Sequence, residues 1–151
     1  MDFDGRVEEL FLDLPEVPKD AAFAHISRCG KLIYVGGQLP YGEGRLLFKG
    51  RVGLELSSDA GKAAARAAAI QALGVIKGTL GTLNEIKRLV HVRLYIATGA
   101  EFKDHRKVLA GSMELLKDVF GTFADCSTEV VGCASLPEGA AVELAMVIEV
   151  K

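Results

Sequence analysis

The sequence has no tryptophan, only three cysteines, and no surplus of either charge, with a net charge of −2. The cysteines, Cys29, Cys126 and Cys133, are odd in number and form no CxxC pair. This argues against a disulfide framework or a structural zinc, so we expect free thiols in a reducing compartment. Without a basic surplus there is no electrostatic footprint for nucleic acid, and we expect no such partner.

Other signatures are missing too. No apolar run approaches the ~20 residues of a membrane span, and the acidic N-terminus has no apolar signal region, so we expect a cytoplasmic protein with no membrane partner. The phosphate-binding patterns GxGxxG and GxxxxGK[ST] are absent, and the three histidines are dispersed. We therefore expect neither a cofactor nor a metal site.

The order of periodic segments predicts one domain over residues 1–151, in which residues 1–20 form a short helix and an extended connector. Strands are expected at 22–30, 32–35, 46–48, 84–97, 126–133 and 142–150, and long helices at 57–81 and 102–120. This order predicts an α+β fold, with a single mixed β-sheet and two helices packed on one face.

The other face of the sheet should meet a second copy of the chain. In the strand 84–97, alternation places Val90 on the apolar face that packs against the core. It places Leu89, His91, Arg93 and Tyr95 on the opposite face. That face is too mixed for a second core and suits a subunit interface with a polar lining.

Glu143 is the leading catalytic candidate. It follows a Leu-Pro-Glu-Gly turn and opens a strand that alternates strictly from Val142 to Val150. A carboxylate on a face otherwise lined by small or apolar residues is either a general base or a solvated glutamate, and the residues alone favour the second interpretation. A cysteine–histidine nucleophile, Cys126 or Cys133 with His25 or His91, is a further alternative, against which buried inert thiols are the simpler interpretation.

Four segments in order resemble the RidA/YjgF family, from about Phe23 to the C-terminus. They are Val35-Gly-Gly-Gln-Leu-Pro40, the helix with Gln71, the strand Val90–Ile96, and Ala134-Ser-Leu-Pro-Glu-Gly-Ala-Ala-Val-Glu143. The resemblance implies a chorismate-mutase-like fold and a homotrimer with small-molecule clefts at its subunit interfaces. Deaminating members of the family hydrolyse 2-imino acids in these clefts.

The resemblance also implies the ligand-binding residues. Glu143 falls where the family has its water-positioning glutamate, and Phe23 falls where an aromatic residue closes the pocket. Gly36 and Gly37 stand at the Gly-Gln motif, where a serine is frequent. The arginine that clamps the substrate carboxylate is replaced by Thr128, which marks a divergent subgroup.

Val130, two residues after Thr128, completes the candidate set together with Arg106. Arg106, Arg93 or Lys62 would have to supply the missing cation. We therefore expect a RidA-like hydrolase of enamines, imines or related metabolites that is a poor 2-imino acid deaminase. The alternatives are a non-catalytic, metabolite-binding or regulatory trimer and, disfavoured by the acidic pI of 5.9, an endoribonuclease.

Overall fold

Seven strands and four α-helices make up the fold in a computed structural model that describes residues 1–151. The strands are β1 Ile26–Cys29, β2 Leu32–Gln38, β3 Tyr41–Gly42, β4 Arg45–Leu46, β5 Ile86–Ala97, β6 Ser127–Cys133 and β7 Val142–Val150. The helices are α1 Phe3–Glu9, α2 Lys19–Phe23, α3 Ser58–Leu80 and α4 His105–Phe120. Short 3-10 turns lie at Leu83–Glu85, Gly121–Ala124 and Pro137–Gly139.

Five strands form one mixed sheet in the order β1-β2-β7-β5-β6. The β5–β6 pair is parallel and the other pairs are antiparallel. This confirms the predicted α+β fold with one mixed sheet and helices. The third strand predicted near 46–48 is present only as the two-residue β4, which pairs with β3 in a separate hairpin and does not join the main sheet.

The two long helices cover one face of the sheet, which we call the helix face. The Ser57 side chain caps α3 by accepting a hydrogen bond from the Ala60 amide at 3.1 Å, and Gly81 ends the helix in the left-handed conformation. Helix α4 packs beside α3, where the buried Ser112 hydroxyl donates to the Ala65 carbonyl at 2.6 Å. None of the helices combines the length and apolar character needed to cross a bilayer.

The second face, which we call the open face, is not covered within the chain. Strand β7 shows the division most clearly, because its even-numbered residues Val142 to Val150 are buried and its odd-numbered residues are partly exposed. The odd-numbered residues are Glu143, Ala145, Val147 and Glu149. The predicted alternation of β7 is therefore confirmed.

Strand β5 departs from simple alternation at its start. Its register against β7 shifts between Ile86 and Arg88 and again between Leu89 and His91. Each extra residue reverses the side-chain direction, so Leu89 is fully buried and Val90 is partly exposed, the opposite of the prediction. From His91 onward the predicted faces are correct.

The N-terminal segment is more helical than predicted. After α1, the connector from residue 10 leads into α2. The first hydrogen bond of α2 is donated by the Ala22 amide to the Pro18 carbonyl at 2.8 Å. The strand predicted from residue 22 is wrong, because β1 begins only at Ile26. Phe23 ends a helix and does not lie early in the first strand.

Candidate functional site

Glu143 lies at the start of β7 on the open face, opposite Tyr95 of β5. Three glutamates share this face. Glu129 is paired with Arg93 and His91, and Glu149 is paired with Arg88 and Lys87. Glu143 alone has no basic partner within the chain, so its carboxylate is free to accept hydrogen bonds from a ligand or a water.

A bulge in β2 makes room for this carboxylate. The register against β7 shifts between Val35 and Gln38, so Gly36 and Gly37 together face Ala145. A β-carbon on Gly37 would lie 2.6 Å from Cδ and 2.8 Å from Cγ of Glu143. The carboxylate therefore lies directly against the backbone of β2, an approach that only glycine permits.

The turn before β7 is held in place by two hydrogen bonds to neighbouring segments. The Tyr41 hydroxyl donates to the Glu138 carboxylate, and this hydrogen bond raises the pKa of Tyr41 above its usual value. Glu138 has a left-handed backbone with φ of 61°. The Gly50 amide donates to the Gly139 carbonyl at 3.0 Å. These contacts fix the point at which β7 begins, and so the position of Glu143.

Beside Glu143, a row of polar side chains runs across β5 and β6. Arg93 Nη2 donates to Glu129 Oε1 at 2.8 Å, and Arg93 Nη1 donates to the Tyr95 hydroxyl at 3.2 Å. His91 contacts Glu129 through Nε2 at 2.9 Å and Ser127 through Nδ1 at 2.7 Å. The hydrogen bond from Arg93 lowers the pKa of Glu129, and the same bond raises the pKa of Arg93.

A cysteine–histidine nucleophile is not assembled. Burial raises the pKa of the Cys133 thiol, and the charge of Glu143 raises it further. Burial also raises the pKa of Cys126. Both thiols are therefore poor sources of thiolate. His91 has both ring nitrogens engaged by Ser127 and Glu129, neither of which is a cysteine.

The largest of the four principal grooves lies elsewhere. It has a volume of about 950 Å³ and lies between the β3–β4 hairpin, residues 13–17 and α3. Glu143 lines none of the four principal cavities. The surface around Glu143 is therefore part of the open face and of none of these four cavities.

Comparison with known proteins identifies the family. The family model described as "YjgF/chorismate_mutase-like, putative endoribonuclease" matches residues 4–148. The chain belongs to this YjgF/RidA family. A curated relative, Protein TCP17 of Trypanosoma cruzi, is 34% identical over 150 residues, which cover 96% of this chain and 92% of the relative.

Two solved structures are similar to this chain over nearly its whole length. A protein of unknown function from Agrobacterium tumefaciens has a TM-score of 0.88 at 32% identity and covers 98% of this chain and 91% of its own. A "putative endoribonuclease" from Shewanella oneidensis MR-1 has a TM-score of 0.92 at 27% identity and covers 99% and 100%. Only the second name states an activity.

The structure brings Glu143, Gly36 and Gly37 together, and leaves the other YjgF/RidA candidate residues apart from them. Phe23 is 52% exposed and lines a cavity of about 380 Å³ with Val150 on the helix side. Seven residues of extended strand separate Glu143 from Val150, a distance of about 23 Å.

Thr128 and Val130 lie on the helix face of the edge strand β6. Thr128 is in register with the buried Val92, and Val130 packs against the core. Arg106 is exposed in the first turn of α4, next to His105, whose Nε2 lies 2.6 Å from the position of a β-carbon on Gly132. Thr128 and Val130 therefore lie on the side of the sheet away from Glu143, and the exposed Arg106 belongs to the helix that begins on that side, beside Gly132 of β6.

Sequence reasoning missed Glu129 and Ser127 as members of the polar row. Their side chains share the open face with His91 and Arg93 because β6 runs parallel to β5 with Ser127 opposite His91. Alternation along β6 already puts its odd-numbered residues on one face of the strand. Only the register between β5 and β6, which are far apart in the sequence, shows that this is the open face.

Proposed function

We propose that this YjgF/RidA-family protein is a hydrolase of small, uncharged imines or enamines, with Glu143 as the residue that holds the attacking water. The observation that supports it is the Glu143 carboxylate itself, the one open-face glutamate without a basic partner, lying against Gly37. A free carboxylate at a site open to a ligand is suited to act as a general base.

The chemistry is a hydration followed by loss of ammonia. A water held by Glu143 attacks the carbon of the C=N bond, Glu143 takes the water proton, and the electron pair of the C=N bond moves to nitrogen, which takes a proton from solvent. The C–N bond of the carbinolamine then breaks with its electron pair on nitrogen. Glu143 returns its proton to the departing ammonia, and the hydroxyl proton leaves to solvent as the carbonyl forms.

The working site, in this proposal, lies between copies of the chain. Glu143 is on the open face, whereas Thr128 and Arg106 are at the free edge of β6 on the other side of the sheet. Side chains so placed meet across the boundary between two copies and not within one. The uncovered open face and the unpaired edge of β6 support a homotrimer with three such clefts.

The charges at the site support an uncharged substrate. Arg93 is occupied by Glu129 and Tyr95, and Lys62 is occupied by Glu114. Of the three cations that could replace the missing clamp, only Arg106 has no ion pair. A carboxylate substrate would lose a charge-assisted bidentate hydrogen bond at Thr128, which weakens binding by roughly ten- to a hundredfold per bond.

The test compares two substrates that differ only in that charge, 2-iminopropanoate and 2-iminopropanamide. Ammonia release is measured for the purified wild-type protein and for Thr128→Arg. We expect wild type to prefer the amide, and Thr128→Arg to gain rate with the carboxylate. Wild-type preference for 2-iminopropanoate would contradict the proposal, and sedimentation as a monomer would contradict the interfacial cleft.

The same purified protein also distinguishes the proposed hydrolase from two other functions. A non-catalytic metabolite-binding trimer would bind the substrate analogues and accelerate neither reaction. The endoribonuclease name carried by the Shewanella relative suggests RNA cleavage. A net charge of −2 and an open face whose arginines are paired with glutamates give RNA no phosphate-binding stripe. We therefore expect no cleavage of single-stranded RNA.

A further inference from the structure

Tyr95, the residue opposite Glu143 in the sheet, has a hydroxyl proton that no group of the chain accepts. Its oxygen accepts a hydrogen bond from Arg93 Nη1 at 3.2 Å, and no acceptor for its own O–H lies within the chain. A phenol oxygen can donate one hydrogen bond through its O–H and can also accept one. Because Arg93 occupies the acceptor side, the O–H of Tyr95 is left to point at whatever enters the site.

Register places the residue that carries this donor next to the residue that carries the free acceptor. Tyr95 and Glu143 are directly opposite on β5 and β7, so their β-carbons are about 4.5–5.5 Å apart. The Glu143 carboxylate leans towards Gly37 on the β2 side, while Tyr95 is hydrogen-bonded towards Arg93 on the β5 side. Ala145, on β7 between Gly37 and Arg93, contributes only a methyl group to the floor between them.

We infer that Tyr95 is the hydrogen-bond donor of the Glu143 site, and that it and Glu143 together select an uncharged ligand. This rests on the proposed function. Glu143 requires a donor, which is the attacking water, and Tyr95 requires an acceptor, which is the neutral imine nitrogen or the carbonyl oxygen of the product. A ligand whose hydrogen-bond acceptor is bonded to its electrophilic carbon can do both: the acceptor binds Tyr95, and the carbon lies next to the water that Glu143 holds.

Arg93 is a positioning residue in this arrangement. It holds the Tyr95 oxygen through Nη1, and its charge is compensated by Glu129 through Nη2 at 2.8 Å. A compensated guanidinium polarises the phenol as a donor without attracting an anion. The same pair explains why an arginine so close to Glu143 does not serve as a carboxylate clamp.

Three tyrosines make the test direct, because Tyr34 and Tyr41 serve as internal controls for Tyr95. The full-length protein carries 13C at the tyrosine ζ carbon and is titrated with pyruvamide or with pyruvate, which share the ketone and differ in charge. We expect pyruvamide to move the Tyr95 signal well beyond those of Tyr34 and Tyr41, and pyruvate to move it less. Tyr95→Phe should weaken pyruvamide binding about tenfold, the loss of one hydrogen bond.

The variants separate two kinds of failure. If Tyr95→Phe binds pyruvamide as wild type does while Glu143→Gln loses ammonia release from 2-iminopropanamide, the role of Tyr95 is overturned and the proposed site stands. If Glu143→Gln releases ammonia as fast as wild type, the proposed site itself is wrong. An equal or larger response to pyruvate, or no response of Tyr95 to pyruvamide, also overturns the inference. Arg93→Gln keeps a donor without the charge, and it should reduce the shift at Tyr95 without moving those of Tyr34 and Tyr41.

Discussion

Replacing Gly37 with alanine should displace the Glu143 carboxylate and leave the fold intact. The new β-carbon would lie 2.6 Å from Cδ of Glu143, whereas ordinary contact begins at 3.4 Å. Because Oε1 of Glu143 would lie closer still, the carboxylate must retreat by more than about 0.8 Å, and a misplacement near 1 Å can cost about a hundredfold in rate. We expect Gly37→Ala to lose on the order of a hundredfold in kcat/KM for 2-iminopropanamide.

Stability should change little in the same variant. Gly37 does not have a left-handed backbone, so alanine is tolerated there and stabilises by about 0.4–1 kcal/mol through the unfolded chain. Forcing Glu143 off its preferred rotamer costs about 0.5–1.5 kcal/mol. These terms nearly cancel, so the urea midpoint should stay close to that of wild type.

Gly36→Ala is the matched control for this prediction. A β-carbon on Gly36 would lie 3.3 Å from the His25 carbonyl oxygen, and it has no contact with Glu143. Gly36→Ala should therefore retain activity even if it loses some stability. Equal activity of Gly36→Ala, Gly37→Ala and wild type would refute the claim that the position of Glu143 against Gly37 controls the reaction.

Two further predictions concern stability. Gly111→Ala would place a β-carbon 2.9 Å from the Lys62 carbonyl carbon of α3. Overpacking of about 1–3 kcal/mol should exceed the helix-propensity gain of about 1 kcal/mol, so the variant should be less stable than wild type. A higher urea midpoint than that of wild type would contradict this. Arg93 lowers the folded-state pKa of Glu129, so its stabilisation is present above the unfolded value of about 4.3 and is lost as pH falls through the lowered folded value. The urea midpoint of wild type should therefore fall more steeply below about pH 5 than that of Glu129→Gln, and parallel curves would contradict the assignment.

Local signals explain what the sequence predicted well. Ser57 and Gly81 bound α3 because capping depends on a few neighbouring residues. The alternation from Val142 to Val150 predicts β7 because one face of it is fully packed and the other is not. The same alternation singles out Glu143, and the resemblance adds its role and the two glycines of β2, but the bulge that brings Gly37 to Glu143 is a tertiary feature.

Long-range pairing accounts for most of the errors. Phe23 is a local exception, because its alternation predicts a strand but it ends the short helix that Pro18 caps. Leu89 and Val90 exchange faces because of a bulge set by the partner strand β7. The pairing of Glu129 with Arg93 depends on the parallel register of β5 and β6, which no local pattern encodes.

The central claim is that Glu143 holds the water that attacks an uncharged imine. The most direct measurement is the rate of ammonia release from 2-iminopropanamide by wild-type protein and by Glu143→Gln, which keeps the size of the side chain and removes the base. We predict that wild type accelerates the reaction and that Glu143→Gln lowers kcat by about a hundredfold or more. Equal rates for the two proteins would contradict the account.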